Sequence, residues 1–225
     1  MSDGVWISSL LSNGAIGYKQ GLRDKEPGDD WTPATFEIPL PTPENLELTR
    51  KYARGIKSEP HELPEAAAVW DPKSFKRNTG QIFTAAARYV VRRKLHDVLS
   101  RFDLGEGGLV PFTIYEADLE TPLEEEFWLL NFGAIKETFL PEQSKNVQSF
   151  GVDKDSGLRI WEVNGWHEDG DIAVNDMASA GADLWFERVV DNKIFMSGAL
   201  VAALQQAKLD EPWMLKRCRL VGDAA

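Results

Sequence analysis

The pattern of apolar and polar positions divides the chain into a weakly patterned first third and a strongly patterned remainder. In residues 1–78, prolines interrupt every long periodic run, which predicts short strands and turns. A helix is predicted over residues 43–55, because Thr42 can cap it and a proline suits the first helical position. A second short helix is predicted over residues 64–70, and a strand over residues 5–11.

From about residue 79 the pattern sharpens and repeats. A short strand is predicted at residues 89–91, then an amphipathic helix, then a strand over residues 109–115. The same order recurs at a constant offset of 105 residues, as a short strand at residues 194–196, a helix, and a strand over residues 214–220, so that Leu95 aligns with Leu200 and Leu99 with Leu204. Each unit is strand, helix, strand, and the apolar face of each helix needs a sheet to cover it. Chance similarity of two helix-bearing segments is the alternative.

Four further strands are predicted between these units, in segments rich in aromatic and β-branched residues. They are residues 127–132, 158–163, 172–174 and 184–188. Turn residues at 155–157 and 169–171 favour antiparallel pairing over a doubly wound parallel sheet. The predicted fold class is α+β, with mixed or mainly antiparallel sheets and few helices. Residues 1–78 are expected to be an irregular, proline-rich segment packed on the core of an α+β domain formed by residues 79–225.

Composition places the protein in the soluble, cytoplasmic class. The 225 residues contain no apolar run long enough to cross a membrane and no basic, apolar start typical of a secretion signal. The single cysteine, Cys218, excludes an internal disulfide and a cysteine-based zinc site. The eight tryptophans are expected to be mostly core residues, with a few exposed ones available for binding.

The net charge of −11 is partly concentrated in an acidic segment, residues 116–126, which contains no lysine or arginine. Such a surface repels nucleic acid, whose phosphates need a basic face. The segment is either a solvated loop or a docking surface for a basic partner. The basic run Arg92-Arg93-Lys94 opens a predicted helix, where positive charge is unfavourable. Compensation by the acidic segment is expected, and a bound anion is the alternative.

No cofactor or metal site is predicted. Residues 153–157 resemble the start of a calcium loop, but Gly157 stands fifth and Asn164 twelfth, where glycine sixth and glutamate twelfth are needed. His167 lies close to Glu168, Asp169 and Asp171, without a second histidine nearby to complete a ligand pattern. No nucleophile elbow occurs, and Cys218 falls in a predicted strand, so no catalytic residue is assigned.

Three features follow one another along residues 80–221: the segment from Tyr89 to Tyr115, the strand at residues 127–132, and Ser144 after Leu140-Pro141-Glu142. In these features the chain resembles a bacterial family of immunity proteins, the immunity protein eleven-like family, formerly a domain of unknown function. Ser197, Leu200 and Leu204 match the family's second helix. Arg92 stands where the first helix of the family starts with serine, so that cap is lost or replaced here.

The resemblance implies a protein that binds and neutralises a co-encoded toxin in a polymorphic toxin system. An acidic inhibitor suits a basic toxin, because complementary fields speed association. Two sets of binding residues are predicted: Glu124, Glu125, Glu126 and Trp128 in one, and His167, Glu168, Asp169 and Asp171 in the other. The rival hypothesis is a hydrolase-like enzyme that uses the second set.

Overall fold

The structure is a computed structural model that describes residues 4–17, 20–25, 31, 42–154 and 156–222. These residues form four α-helices and fifteen strands, and the strands form mixed and antiparallel sheets. This architecture confirms the α+β prediction. The chain divides into two compact units. We call Gly14–Ser100 with Gly107–Phe132 the central unit, and Met1–Asn13, Arg101–Glu106 and Gly133–Ala225 the terminal unit.

The central unit is built on a six-stranded sheet. Its strands are β2 (Leu22–Lys25), β3 (Ala66–Val69), β4 (Ile82–Ala85), β5 (Arg88–Arg92), β6 (Gly108–Tyr115) and β7 (Phe127–Asn131). They lie in the order β2-β3-β6-β7-β5-β4, where β3 and β6 run parallel and the other neighbours antiparallel. Its helices are α1 (Pro43–Ala53), α2 (Pro72–Asn78) and α3 (Arg93–Leu99). Phe83, Val90, Ile114 and Leu129 are core residues.

The terminal unit combines a five-stranded sheet with two smaller ones. The large sheet has the order β14-β1-β13-β12-β8 and contains β1 (Val5–Ser8), β8 (Ile135–Lys136), β12 (Leu184–Glu187), β13 (Ile194–Ser197) and β14 (Leu215–Arg217). The small sheets pair β9 (Val147–Val152) with β10 (Arg159–Val163), and β11 (Ala173–Asn175) with β15 (Arg219–Val221). Its helix is α4 (Gly198–Ala207).

The predicted repeat is present as two copies of one topology, β5-α3-β6 and β13-α4-β14. In each copy the two strands are parallel to each other and lie on either side of one antiparallel strand, β7 in the first and β1 in the second. The register agrees on one side of this strand, because Trp128 lies opposite Val91 and Trp6 lies opposite Met196, the residue that aligns with Val91 in the repeat. On the other side it is shifted by one residue, since Trp128 lies opposite Pro111, which aligns with Lys216, whereas Trp6 lies opposite Arg217. The N-terminal strand therefore completes the second copy.

Most of the predicted elements are confirmed. Helix α1 starts where predicted, since the Thr42 hydroxyl accepts a hydrogen bond of 3.1 Å from the amide of Asn45. The four strands predicted between the units correspond to β7, β10, β11 and β12. The strand predicted over residues 214–220 is divided into β14 and β15 at Cys218. The turn predicted at residues 155–157 includes Asp155, which lies outside the described residues.

The helix predicted over residues 64–70 is wrong, because Ala66–Val69 is the strand β3. Its four residues are all buried, and β3 pairs with β2 on one side and with β6 on the other. Sheet pairing on both sides outweighs the high helix propensity of alanine. The division expected between residues 78 and 79 falls inside the central unit, at the end of α2. Strand β3, which precedes this point in the chain, pairs with β6, which follows it.

Candidate functional site

The acidic segment, residues 116–126, connects β6 to β7 in the central unit. Asp118 fixes its turn, because its carboxylate accepts hydrogen bonds from the amides of Glu120 and Thr121 and from the Thr121 hydroxyl. The bonds from Thr121 and Glu120 hold the pKa of Asp118 below its ordinary value. The segment is therefore a structured, charged turn.

Two carboxylates of this segment are paired with the basic run that opens α3. Glu125 forms an ion pair with Arg92, and Glu126 forms one with Arg93. These pairs confirm that the acidic segment compensates the unfavourable positive charge at the start of the helix. They also reduce the charge that Glu125 and Glu126 offer to a partner, whereas Glu124 is exposed.

Trp128 lies close to these carboxylates, but its indole is covered. The residue is only 9% exposed. The His96 ring stacks on it with a centroid distance of 4.0 Å, and the Arg93 guanidinium carbon lies 5.2 Å from its ring centroid. The structure therefore brings Glu124, Glu125, Glu126 and Trp128 together, but it does not present Trp128 as an exposed aromatic anchor.

The second predicted set lies on one loop of the terminal unit, residues 164–171, which follows β10 and which we call the acidic loop. Hydrogen bonds attach this loop to the strand β14. The amide of Arg217 donates to the Asp169 carboxylate at 2.7 Å, and the amide of Gly170 donates to the Arg217 carbonyl at 2.8 Å. Glu168 forms a 2.7 Å ion pair with Lys216.

The last residue of the acidic loop closes it. The Asp171 carboxylate accepts hydrogen bonds from the amide of Glu168 at 2.8 Å and from the Asn146 side chain at 2.7 Å. These two bonds lower the pKa of Asp171, so its carboxylate is charged at neutral pH. The loop is consequently closed on itself and tied to the chain before β9.

His167 points into the protein and is 3% exposed. Its backbone amide and its Nδ1–H both donate to the Asn164 carbonyl, at 3.2 Å and 2.8 Å. Burial lowers the pKa of the imidazole, so the ring is neutral at neutral pH. Its Nε2 has no hydrogen-bond partner among the described residues. The side chain thus holds the loop in place and does not face the solvent.

The neighbouring residue, Trp166, was not among the predicted site residues. It is 82% exposed, the largest exposure among the large apolar side chains of the described residues. Sequence reasoning missed it because a loop has no periodicity that tells which side chains point outward. The available signal was its position beside Gly165 and three carboxylates, outside every predicted strand.

A shallow pocket of about 360 Å³ lies beside the acidic loop. Asp169, Gly170, Arg217 and Arg219 line it, and so does Cys218. Burial raises the pKa of the Cys218 thiol, which makes it a poor nucleophile. Across the described ranges, no group of three or more His, Cys, Asp or Glu side chains is arranged to hold a metal ion.

No protein-family model matches the sequence, and no curated protein is significantly similar to it. Among the helices in the described part of the chain, none has the length and apolar character needed to cross a membrane.

Proposed function

We propose that the protein is an immunity-type inhibitor that binds and neutralises a co-encoded, basic toxin. The observation that carries this proposal is the acidic loop, in which internal hydrogen bonds and one ion pair hold Glu168, Asp169 and Asp171 in one arrangement, with Glu168 and Asp169 exposed. The resemblance of residues 80–221 to an immunity-protein family and the net charge of −11 support it. An inhibitor needs a complementary surface and no catalytic group of its own.

The geometry of the acidic loop suits binding because its shape exists before a partner arrives. Hydrogen bonds to Asp169 and Asp171 fix the backbone, so little conformational entropy is lost on association. Fixed carboxylates attract a basic protein over a distance of about 10 Å at moderate salt and speed its approach. The acidic segment of the central unit adds to this field, although two of its carboxylates are internally paired.

The enzyme hypothesis has less support from the same loop. A general base must reach the proton that it removes, either directly or through one water molecule. The His167 ring is buried, its Nδ1 already donates to Asn164, and its Nε2 faces the interior of the protein. The carboxylates beside it form hydrogen bonds and an ion pair that hold the loop in its conformation. A binding role needs no rearrangement of these contacts.

The test is titration calorimetry with the purified product of the adjacent gene, at about 50 and 300 mM salt, a span over which exposed charges are increasingly screened. We expect a tight complex that weakens about tenfold or more at the higher salt. Glu168→Gln should weaken it further, because it removes an exposed charge and keeps the hydrogen bond to Lys216. Glu47→Gln, which changes an exposed glutamate of α1 that pairs with Arg50, is the matched control and should change the affinity little. Absence of binding at both salts contradicts the proposal.

A further inference from the structure

Two adjacent residues of the acidic loop have the reverse of the usual burial. Trp166 is 82% exposed and His167 is 3% exposed. Large aromatic side chains are normally buried to a high degree, whereas histidine is intermediate. Turning the indole outward forgoes the stabilisation that its burial provides, and turning the imidazole inward leaves Nε2 without a partner among the described residues. Two unfavourable choices at neighbouring positions are expected mainly at functional sites.

The outward position of Trp166 is fixed by the loop. The amide and Nδ1 of His167 both donate to Asn164, the residue two positions before Trp166. The bond from Glu168 to Asp171 closes the other end. Trp166 therefore projects from a loop whose backbone is hydrogen-bonded on both sides of it. A rigid aromatic residue loses little entropy when it binds, which is why tryptophan is common among the dominant residues of interfaces.

The surroundings of Trp166 indicate what it fits. Glu168 and Asp169 follow it by two and three positions, and both are exposed. Lys216 pairs with Glu168, and the Asp169 carboxylate accepts a hydrogen bond from the amide of Arg217. Arg217 and Arg219 line the pocket beside the loop, so this surface carries charges of both signs. An apolar ring next to such charges is complementary to an apolar pocket with a charged border, and the net charge of −11 favours cations at that border.

We propose that Trp166 is the anchor of the docking surface and that the toxin receives it in an apolar pocket bordered by lysine or arginine side chains. This proposal rests on the function proposed above. It goes further by naming the residue that dominates the affinity and the kind of surface that the partner presents. The other strongly exposed tryptophan of the described chain, Trp70, is 53% exposed and belongs to the central unit, away in sequence from the acidic loop.

The test compares Trp166→Ala with Trp70→Ala in titrations against the product of the adjacent gene. Loss of a dominant interface residue weakens binding by about 30-fold or more, and we expect that for Trp166→Ala. Trp70→Ala should stay within about threefold of the wild type, since truncations of residues other than the few dominant ones are mostly near neutral. Trp166→Phe should retain part of the affinity because a smaller ring still enters the pocket. The melting temperature of Trp166→Ala should match that of the wild type, since the indole makes few contacts within the fold.

The outcomes separate the two proposals. If the wild type binds tightly and Trp166→Ala binds within about threefold of it, the anchor is wrong and the inhibitor function stands. If Trp70→Ala loses as much affinity as Trp166→Ala, the docking surface is not centred on the acidic loop. If the wild type does not bind at all, both proposals are contradicted.

Discussion

At the scale of a single residue, His167 shows which features of the candidate site could be predicted from the sequence and which could not. The turn at residues 169–171 and the carboxylates around it mark this loop as a candidate site from the sequence alone. The direction in which His167 points is not encoded in any periodic pattern, because it follows from the hydrogen bonds to Asn164. The sequence therefore indicated that this loop is charged, but not which of its side chains is buried.

Burial of His167 makes the stability of the protein depend on pH. The pKa of His167 is lowered in the folded state from its ordinary value of about 6.5, mainly by desolvation, with Lys193 and Lys216 acting in the same direction. As the pH falls below about 6.5, the unfolded chain takes up a proton more readily than the folded one, so the free energy of unfolding decreases. We expect the melting temperature to fall between about pH 6.5 and 5.

His167→Gln should flatten that dependence, because it removes the titrating group. His61 and His96 remain in both proteins and act as internal controls. The carboxylate of Asp171, whose pKa is lowered, contributes stability that is lost at a more acidic pH, below the ordinary value of about 4. Thermal unfolding from pH 8 to 5 measures the difference, and parallel curves for the two proteins contradict the assignment.

The hairpin of β4 and β5 shows what the sequence concealed at the scale of an element. Two-residue hairpin turns of the common type need positive φ at both central residues and favour Asn-Gly. Here the turn is Ala86-Ala87, with φ values of 46° and 53°. No turn residue marked the position, so β5 was predicted and β4 was not. For the same reason the alanines of β3 suggested a helix, since alanine carries no signal for a strand.

The strained turn gives a stability prediction of definite sign. Ala87 is exposed and has a left-handed backbone conformation. This conformation costs an L-residue about 1–2 kcal/mol, whereas glycine adopts it without this cost. Ala87→Gly should stabilise the central unit by about 1 kcal/mol after the entropy of glycine is counted. This corresponds to a rise of about 2–4 °C in melting temperature.

The same substitution in a helix should have the opposite effect. Ala202 is exposed in the interior of α4. Ala202→Gly should therefore destabilise the protein by about 0.5–1 kcal/mol. Differential scanning calorimetry of the two variants measures both shifts. A loss of stability in Ala87→Gly would show that this turn is not strained.

At the scale of the whole molecule, the two strand-helix-strand units could be predicted from the sequence, but the strand that completes the second one could not. The leucines of α3 and α4 revealed two strand-helix-strand units, because they face a sheet in each copy. The strand that completes the second copy lies at the opposite end of the chain, in β1, where no alignment at constant offset can find it. A pairing between sequence-distant strands is set by the fold and not by local pattern.

This arrangement predicts that the chain tolerates circular permutation. One such permutant begins at Gly14 and joins Ala225 to Met1 through a flexible linker as long as residues 116–126. In this permutant β1 follows β14 along the chain, as β7 follows β6 in the first copy. The new terminus falls at the boundary between the two units. We expect it to fold, with a melting temperature within about 8 °C of the wild type.

A permutant opened inside α4, beginning at Ala203, is the matched control and should fail to fold because it interrupts a packed helix. Circular dichroism and thermal unfolding of both proteins provide the comparison. Failure of the Gly14 permutant to form the terminal unit would contradict the equivalence of β1 and β7.

The central claim, that the protein neutralises a co-encoded toxin through its acidic loop, is tested most directly by growth protection. Bacteria induced to make the product of the adjacent gene are grown with and without this protein, at matched expression of the wild type and of Trp166→Ala. We expect the wild type to restore growth and Trp166→Ala to protect far less. Growth arrest that the wild type does not relieve would contradict the inhibitor function, whereas equal protection by the two proteins would contradict only the anchor role of Trp166.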